Sequence, residues 1–75
     1  MEPNILDLRQ ERCPMALLLA KRHTKSLTGG EQVQILVSDA SSMTDITQYL
    51  NRHLFHLSCE QIDGYYCMQV TKESY

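Results

Sequence analysis

The chain has 75 residues, of which 43% are apolar, and a formal net charge of −2. This length predicts one domain, residues 1–75, with a core too small to enclose a large pocket. Because the chain has nine acidic and only seven basic residues, charge alone gives no affinity for nucleic acid. The longest apolar run, Met15–Ala20, is too short to span a membrane. The acidic, polar start of the chain is unlike a signal peptide. We therefore expect a cytoplasmic protein without a membrane segment or direct nucleic-acid binding.

The first half of the chain predicts a strand, a helix and a second strand. Ile5–Leu8 alternates in polarity, as a half-buried strand does. Pro14 suits the first turn of a helix that runs to Leu27, and Gly29-Gly30 is expected to end that helix. Gln32–Ser38 alternates cleanly and is the clearest strand prediction. The inward stripe expected for the first helix comprises Leu17, Ala20, Thr24 and Leu27.

The second half predicts a helix followed by a hairpin. Asp39 is a residue type that favours helix starts, and the helix itself is expected over Ser42–His53. Leu54–Ile62 and Tyr65–Lys72 alternate as two strands, and Asp63-Gly64 between them is a strong turn signal. The inward side chains expected here are Met43, Ile46 and Leu50 from the helix, and Phe55, Leu57, Cys59, Tyr66, Met68 and Val70 from the strands.

The order β-α-β-α-β-β predicts an α+β fold, a two-layer α/β sandwich. Each predicted helix has one apolar stripe, so two helices on one face of a four-stranded mixed sheet bury both stripes. The first two strands are expected to be parallel and the last two antiparallel. The other face of the sheet is left for water or a partner, and the sequence leaves the oligomeric state open.

Cys13 is the candidate functional residue. The odd number of cysteines and the expected location argue against a disulfide framework, so the three cysteines are expected to be thiols. Cys13 stands at the start of the first helix, where free N–H groups and the helix dipole favour a thiolate. Arg12 adds positive charge, and Pro14 fixes the backbone at the helix entry. The alternative is a small, half-buried residue that happens to open a helix.

The other candidate ligands and thiols are expected to be structural. Cys59 falls on the apolar face of its strand, which favours burial. Cys67 is expected to face away from the helices, with exposure possible. The spacing of His53, His56 and Cys59 invites a metal site, but His56 and Cys59 point to opposite faces of a strand. We therefore expect surface histidines and no metal or other cofactor.

Leu6-Asp7-Leu8-Arg9 followed by Arg12-Cys13-Pro14 resembles the start of the TusA/SirA family of small sulfur-carrier proteins. The resemblance extends through Gly29-Gly30-Glu31 and Thr44-Asp45-Ile46 to the hairpin at Gly64, with the family's order of elements. It implies that Cys13 accepts a persulfide sulfur from a cysteine desulfurase and passes it to an acceptor protein. The endpoints it implies are thiolation of transfer RNA, and sulfur supply to cofactors or other sulfur metabolism.

The chain departs from the family pattern Cys-Pro-x-Pro at one position. Ala16 replaces the second proline in Cys13-Pro14-Met15-Ala16. Alanine favours a helix, so the expected change is in the surface around the thiol. Two alternatives to an active carrier follow. One is a diverged, non-catalytic binding or regulatory module of the same fold, and the other is a redox protein that uses Cys13 with Cys67.

Overall fold

The computed structural model describes residues 4–12, 14–53 and 55–73. Its order of elements confirms the predicted order. The elements are β1 (Ile5–Leu8), α1 (Met15–Lys25), β2 (Gln32–Val37), α2 (Ala40–Asn51), β3 (Phe55–Ile62) and β4 (Tyr65–Lys72). Element boundaries differ from the prediction by one or two residues. Leu54, included in the predicted third strand, lies outside the described residues.

The four strands form one mixed sheet in the spatial order β1-β2-β4-β3. β1 and β2 are parallel, and β4 is antiparallel to both β2 and β3. Leu8 pairs with Val37, and Val37 pairs with Tyr66. The ends of β1 and β2 therefore lie at the same edge of the sheet as the turn between β3 and β4. We call this the carboxyl edge, and the chain leaves it through the segment that contains Cys13.

Both helices cover one face of the sheet, as predicted. Each buries one stripe of side chains at helical spacing, while Val33, Ile35 and Val37 of β2 form the centre of the core beneath them. In the part of the chain that the structure describes, neither helix has the length and hydrophobicity needed to cross a membrane. The stripes comprise Ala16, Ala20 and Thr24 from α1, and Ser42, Ile46 and Leu50 from α2.

These stripes correct the prediction at one position in each helix. Leu17 and Met43, expected at the centre of the stripes, are only partly buried and pack at the border of the core. Ala16 and Ser42, one residue earlier, are fully buried. Small side chains lie where the helices approach the sheet, because they let the two backbones come close, and the larger side chains fill the space beside them.

The two glycines with positive φ lie in turns next to strands. Gly64 has φ +87 in the hairpin turn, as Asp63-Gly64 predicted. The prediction that Gly29-Gly30 ends α1 is wrong, because the helix stops at Lys25 with Ser26 as its C-cap. Gly30, with φ +88, instead donates its N–H to the carbonyl of Lys72 at 2.9 Å. The two glycines thus belong to the turn that precedes β2.

Candidate functional site

The candidate thiol, Cys13, lies outside the described residues, but both of its neighbours are described and exposed. Pro14 is the N-cap residue of α1, with φ −92 and ψ −2, and its carbonyl accepts from Leu18 N–H at 3.1 Å. The predicted position of proline at the helix entry is therefore confirmed. The fixed φ of proline suits this position, where a missing N–H has no cost.

Ala16 lies in the core, whereas the sequence predicted that it would alter the surface around the thiol. Its side chain is completely buried, because it stands one turn before Ala20 in the inward stripe. Its N–H donates to the carbonyl of Arg12 at 2.9 Å. Proline has no N–H and cannot make this bond. Alanine here therefore adds a backbone bond between the two sides of the cysteine position.

The amino ends of the two helices differ in how they are capped. Asp39 caps α2, accepting from the Ser42 N–H at 3.3 Å and from the Ser42 hydroxyl at 2.9 Å. Its predicted role at a helix start is confirmed. Among the described residues, no side chain caps α1, and its first turn carries no acidic residue. The positive end of the α1 dipole, nearest to Cys13 in the chain, is thus left without a negative side chain.

Arg12 and Asp39 line one open groove at the carboxyl edge. This charged groove has a volume of about 410 Å³ and is formed by Arg9, Gln10, Glu11, Arg12, Ser38 and Asp39. The pKa of Asp39 is lowered, chiefly by the hydrogen bond from the Ser42 side chain and also by the positive charge of Arg12. Arg12, predicted to add positive charge beside Cys13, therefore shares this groove with a carboxylate that its positive charge helps to keep ionised.

A second charged cluster, for which the sequence predicted no separate role, flanks the groove. Arg9 donates from Nε and Nη2 to the two carboxylate oxygens of Asp7, at 2.9 and 2.8 Å. These hydrogen bonds lower the pKa of Asp7 to about 2. The guanidinium also lies 5.0 Å from the ring centre of Tyr65. The spacing of Asp7 and Arg9 could have predicted this ion pair, because residues two apart in an extended chain lie on the same side.

Exposed apolar side chains follow the cysteine position in the chain. Met15 is 48% exposed and Leu18 is 54% exposed, and their spacing of three places them on one side of α1. Pro14 is also exposed. We call Pro14, Met15 and Leu18 the apolar patch. Large exposed apolar side chains that adjoin one another are typical of protein contact surfaces.

The structure places the remaining two cysteines differently from the prediction. Cys59 lies on the helix side of β3, as expected, but is exposed rather than buried. β3 is an edge strand, and the helices do not cover its second half. Cys67 faces away from the helices, as expected, but is buried. Its short side chain stands on an inner strand between Leu36 and Glu60, which are longer.

The histidines spaced for a metal site have other contacts. The ring of His53 lies 4.5 Å from that of Tyr49, and His56 Nε2 lies 2.8 Å from Glu73 Oε1. His56 pairs with Thr71 and Cys59 with Met68, so the two point to opposite sides of the sheet, as predicted. The spacing in sequence therefore does not bring three ligands together. No group of three or more metal-ligating side chains occurs among residues 4–12, 14–53 and 55–73.

Comparison with known proteins places the chain in a family. The family described as Sulfurtransferase TusA matches residues 4–72. The sulfur carrier protein TusA of Buchnera aphidicola subsp. Baizongia pistaciae is 35% identical over 49 residues, which cover 65% of this chain. The match spans 62% of that relative, which is less than two thirds of its length.

Two solved structures share the fold. A SirA-like protein from Desulfitobacterium hafniense superposes with a TM-score of 0.82 at 18% identity, over 93% of this chain and 97% of its own. A Helicobacter pylori protein, solved in solution, gives 0.72 at 15% identity, over 95% of this chain and 99% of its own. At these identities they establish the fold alone. The family match covers nearly the whole chain, and on that ground this chain belongs to the TusA family, as the motif around Cys13 indicated.

Proposed function

We propose that this chain is a sulfur carrier that accepts a persulfide sulfur on Cys13 and passes it to an acceptor protein. The observation that carries the proposal is the family match over residues 4–72, which includes Cys13-Pro14 at the start of α1. The similarity to the sulfur carrier protein TusA of Buchnera supports it. We place this function in the cytoplasm, where thiols remain reduced.

The proposed transfer is a thiol exchange without net oxidation. The Cys13 thiolate attacks the terminal sulfur of a donor persulfide, and a new sulfur–sulfur bond forms on Cys13 as the donor's own bond breaks. The donor cysteine leaves as a thiolate. An acceptor thiolate then attacks the terminal sulfur on Cys13 in the same way. These steps require neither a metal nor an organic cofactor on this chain.

Two features of the described residues support an anionic sulfur at this position. Among the residues that the structure describes, no side chain caps the N-terminus of α1 and none in its first turn is acidic, so its dipole favours a negative charge. Arg12 is exposed and precedes Cys13 directly. A positive charge lowers the free energy of a thiolate or persulfide anion nearby.

The apolar patch supports transfer between proteins rather than to a small molecule. Met15 and Leu18 are both about half exposed and directly follow the motif, so a docked protein would cover them and bring its own cysteine to Cys13. A cysteine desulfurase is the proposed donor. The proposed acceptor is a second protein in a relay toward transfer RNA thiolation, cofactor synthesis or other sulfur metabolism.

Sulfur loading is tested with a cysteine desulfurase, its pyridoxal cofactor and cysteine. Intact mass is expected to show one added sulfur atom that a reducing agent removes. Cys13→Ser should abolish the addition. Cys59→Ser is the matched control because Cys59 is an exposed thiol away from the motif, and this variant should load normally. Loading that persists in Cys13→Ser would disprove the assignment.

The docking surface is tested by placing a charge in the apolar patch. Leu18→Asp should slow sulfur transfer at least tenfold while leaving the unfolding midpoint nearly unchanged, because Leu18 is 54% exposed. Gln48→Asp, at an exposed position of α2, is the control and should transfer sulfur normally. Equal sulfur-transfer rates for Leu18→Asp and Gln48→Asp would show that the apolar patch is not part of the docking surface.

A non-catalytic binding module is the second candidate. Ala16 favours it, because this position departs from the motif of the family. It predicts that Cys13 is dispensable and reacts with alkylating agents like a free thiol, with a midpoint near pH 8.5, about the pKa of a free cysteine. A lower midpoint would support the carrier.

The redox alternative, a bond between Cys13 and Cys67, predicts a loss of two hydrogens in mass on oxidation. Burial of Cys67 reduces its access to any partner thiol. An oxidised sample whose mass is unchanged would exclude this pairing.

A further inference from the structure

We propose that two copies of this chain associate through the outer sides of their β3 strands, which pair antiparallel in a register centred on Ser58. β3 (Phe55–Ile62) is an outermost strand of the sheet and pairs only with β4 among the described strands. Half of its backbone N–H and C=O groups therefore point away from the sheet, where they can bond to a further strand. This inference goes beyond the proposed sulfur-carrier function and does not depend on it.

The two outermost strands of the sheet differ in how well they resist such pairing. β1 has only four residues, and the ion pair between Asp7 and Arg9 lies at its end. β3 has eight residues without a proline, lysine or arginine, and most of its side chains are exposed. Short length, prolines and lysines are the features that protect the edge of a sheet. β3 therefore presents a long edge that lacks these protective features.

The sequence of β3 is complementary to itself in one register. When Ser58 faces Ser58 of a second copy, His56 lies opposite Glu60. Leu57 then lies opposite Cys59, and every pair occurs twice because the axis between the copies is twofold. An imidazole opposite a carboxylate and two apolar side chains opposite each other are both favourable across strands. Centring on Leu57 or Cys59 instead leaves His56 and Glu60 opposite uncharged side chains.

The surroundings of these side chains fit a second copy of the chain as the partner. Cys59 lies on the helix side of the sheet but beyond the helices, and it is exposed. In the proposed register, Leu57 of one copy covers Cys59 of the other, so both lose contact with water. On the open face, His56 Nε2 lies 2.8 Å from Glu73 Oε1 of its own chain. The imidazole has a second nitrogen that can contact Glu60 of the other copy.

This pairing is compatible with the proposed carrier surface. The strand order β1-β2-β4-β3 puts β1, which leads into the cysteine motif, on the opposite side of the sheet from β3. Neighbouring strands are about 4.8 Å apart, so β1 and β3 are separated by about 14 Å. Each copy contributes four strands, and the pair would form one continuous sheet of eight. The two motifs would then lie near its two outer sides.

The association itself is measured by sedimentation velocity. An interface one strand wide is smaller than that of a permanent dimer, so we expect a dissociation constant of roughly 100 µM. The reduced chain should be mostly monomeric at about 10 µM and mostly dimeric at about 1 mM. A chain that remains monomeric at the higher concentration would overturn the proposal and leave the edge of β3 to a strand of another protein.

Ser58→Cys tests the register, in a background where Cys13 and Cys59 are serine. The introduced thiols would face each other with Cα atoms about 4.5–5.5 Å apart, which a disulfide can span. Oxidation should therefore give a covalent dimer. Gln61→Cys in the same background is the control. Gln61 is also exposed on β3 but would lie opposite Phe55, so its two copies would be about 20 Å apart. Equal cross-linking of the two variants would refute the register.

A charge swap tests the pairing of His56 with Glu60. Glu60→Lys puts a cation opposite His56 in both pairs and should raise the dissociation constant about tenfold. This substitution removes one negative and adds one positive charge, so the net charge of −2 becomes zero. Weaker general repulsion would act in the opposite direction. Adding His56→Glu restores opposite charges and should bring the dissociation constant back to within about threefold of the native value. A double variant as weak as Glu60→Lys would contradict the pairing.

Urea unfolding shows whether these variants keep the fold. The side chains of His56, Ser58, Glu60 and Gln61 are exposed, so the unfolding midpoints should stay close to that of the native chain. None of the association experiments uses a sulfur donor. A chain that dimerises but does not load sulfur would refute the carrier alone, and a monomer that loads sulfur would refute the β3 pairing alone.

Discussion

Replacing Ala16 by proline restores the family's second proline and tests whether this chain has adapted its core to alanine. The side chain of Ala16 is completely buried, and its N–H donates to the Arg12 carbonyl at 2.9 Å. Proline removes the donor and adds atoms to a filled space. It also disfavours the helical conformation of the preceding residue, Met15, which begins α1. We expect Ala16→Pro to destabilise the fold.

The magnitude follows from three contributions. Loss of the hydrogen bond costs about 1 kcal/mol. Extra volume in a packed core costs about 1–3 kcal/mol. Proline also lowers the conformational entropy of the unfolded chain, which stabilises the fold by about 0.4–1 kcal/mol. The net loss is thus about 1–4 kcal/mol. A domain of this length is stable by about 4–11 kcal/mol, so the variant should remain folded enough to measure.

Urea unfolding, followed by circular dichroism, measures this loss. Ala16→Gly is the matched control because it keeps the N–H and adds no volume. Its cost of about 1–2 kcal/mol comes from helix propensity and from the loss of a buried methyl group. Ala16→Pro should be less stable than Ala16→Gly, and its amide exchange near Arg12 should be faster. A proline variant as stable as the native chain would refute this account of Ala16.

Three further predictions concern the core, the acid range and the thiols. Ile46→Ala leaves a cavity at a completely buried position, so the free energy of unfolding should fall by about 2–5 kcal/mol. Asp7 has a folded pKa of about 2, below its ordinary 3.8, because of its hydrogen bonds with Arg9. It therefore stabilises the fold above its ordinary pKa, and this contribution is lost as the pH falls toward 2. In Asp7→Asn, urea midpoints should change less with pH over this range. In a variant whose motif cysteine is serine, a thiol reagent should label Cys59 at once and Cys67 only on unfolding.

Each of these predictions has a result that would contradict it. Ile46→Val should cost only about 0.5–1.5 kcal/mol, and a loss equal to that of Ile46→Ala would mean that cavity size does not set the effect. Asp7→Asn with an unchanged acid profile would show that Asp39 and Glu31, whose pKa values are also lowered, dominate this range. Labelling of native Cys67 as fast as Cys59 would contradict its burial.

The elements of this fold could be predicted because each has a local signal. The period of two in Gln32–Val37 and the period near four in α1 depend on side-chain geometry within one element. The cap at Asp39 and the turn at Gly64 also depend on neighbours in the chain. The motif around Cys13 also indicated the family from the sequence alone, because the residues of the motif are adjacent in the chain.

The errors arose where burial depends on distant parts of the chain. Alternation correctly gave the sides of the sheet on which Cys59 and Cys67 lie, but not which of them is covered. Cys59 lies on an edge strand beyond the helices, and Cys67 lies on an inner strand between longer side chains. Sequence spacing also missed Ala16, since the approach of α1 to the sheet determines which residue of a stripe lies deepest.

The sequence by itself therefore determined the order of elements, their faces, the helix start at Pro14 and the family of the chain. Only the tertiary structure decided which charged side chains line the groove at the carboxyl edge. Arg12 and Asp39 are far apart in sequence, and both line this groove because β1 and β2 are parallel neighbours whose ends share one edge. Local periodicity cannot predict which distant residues line one groove, because the order and direction of strands are properties of the whole sheet.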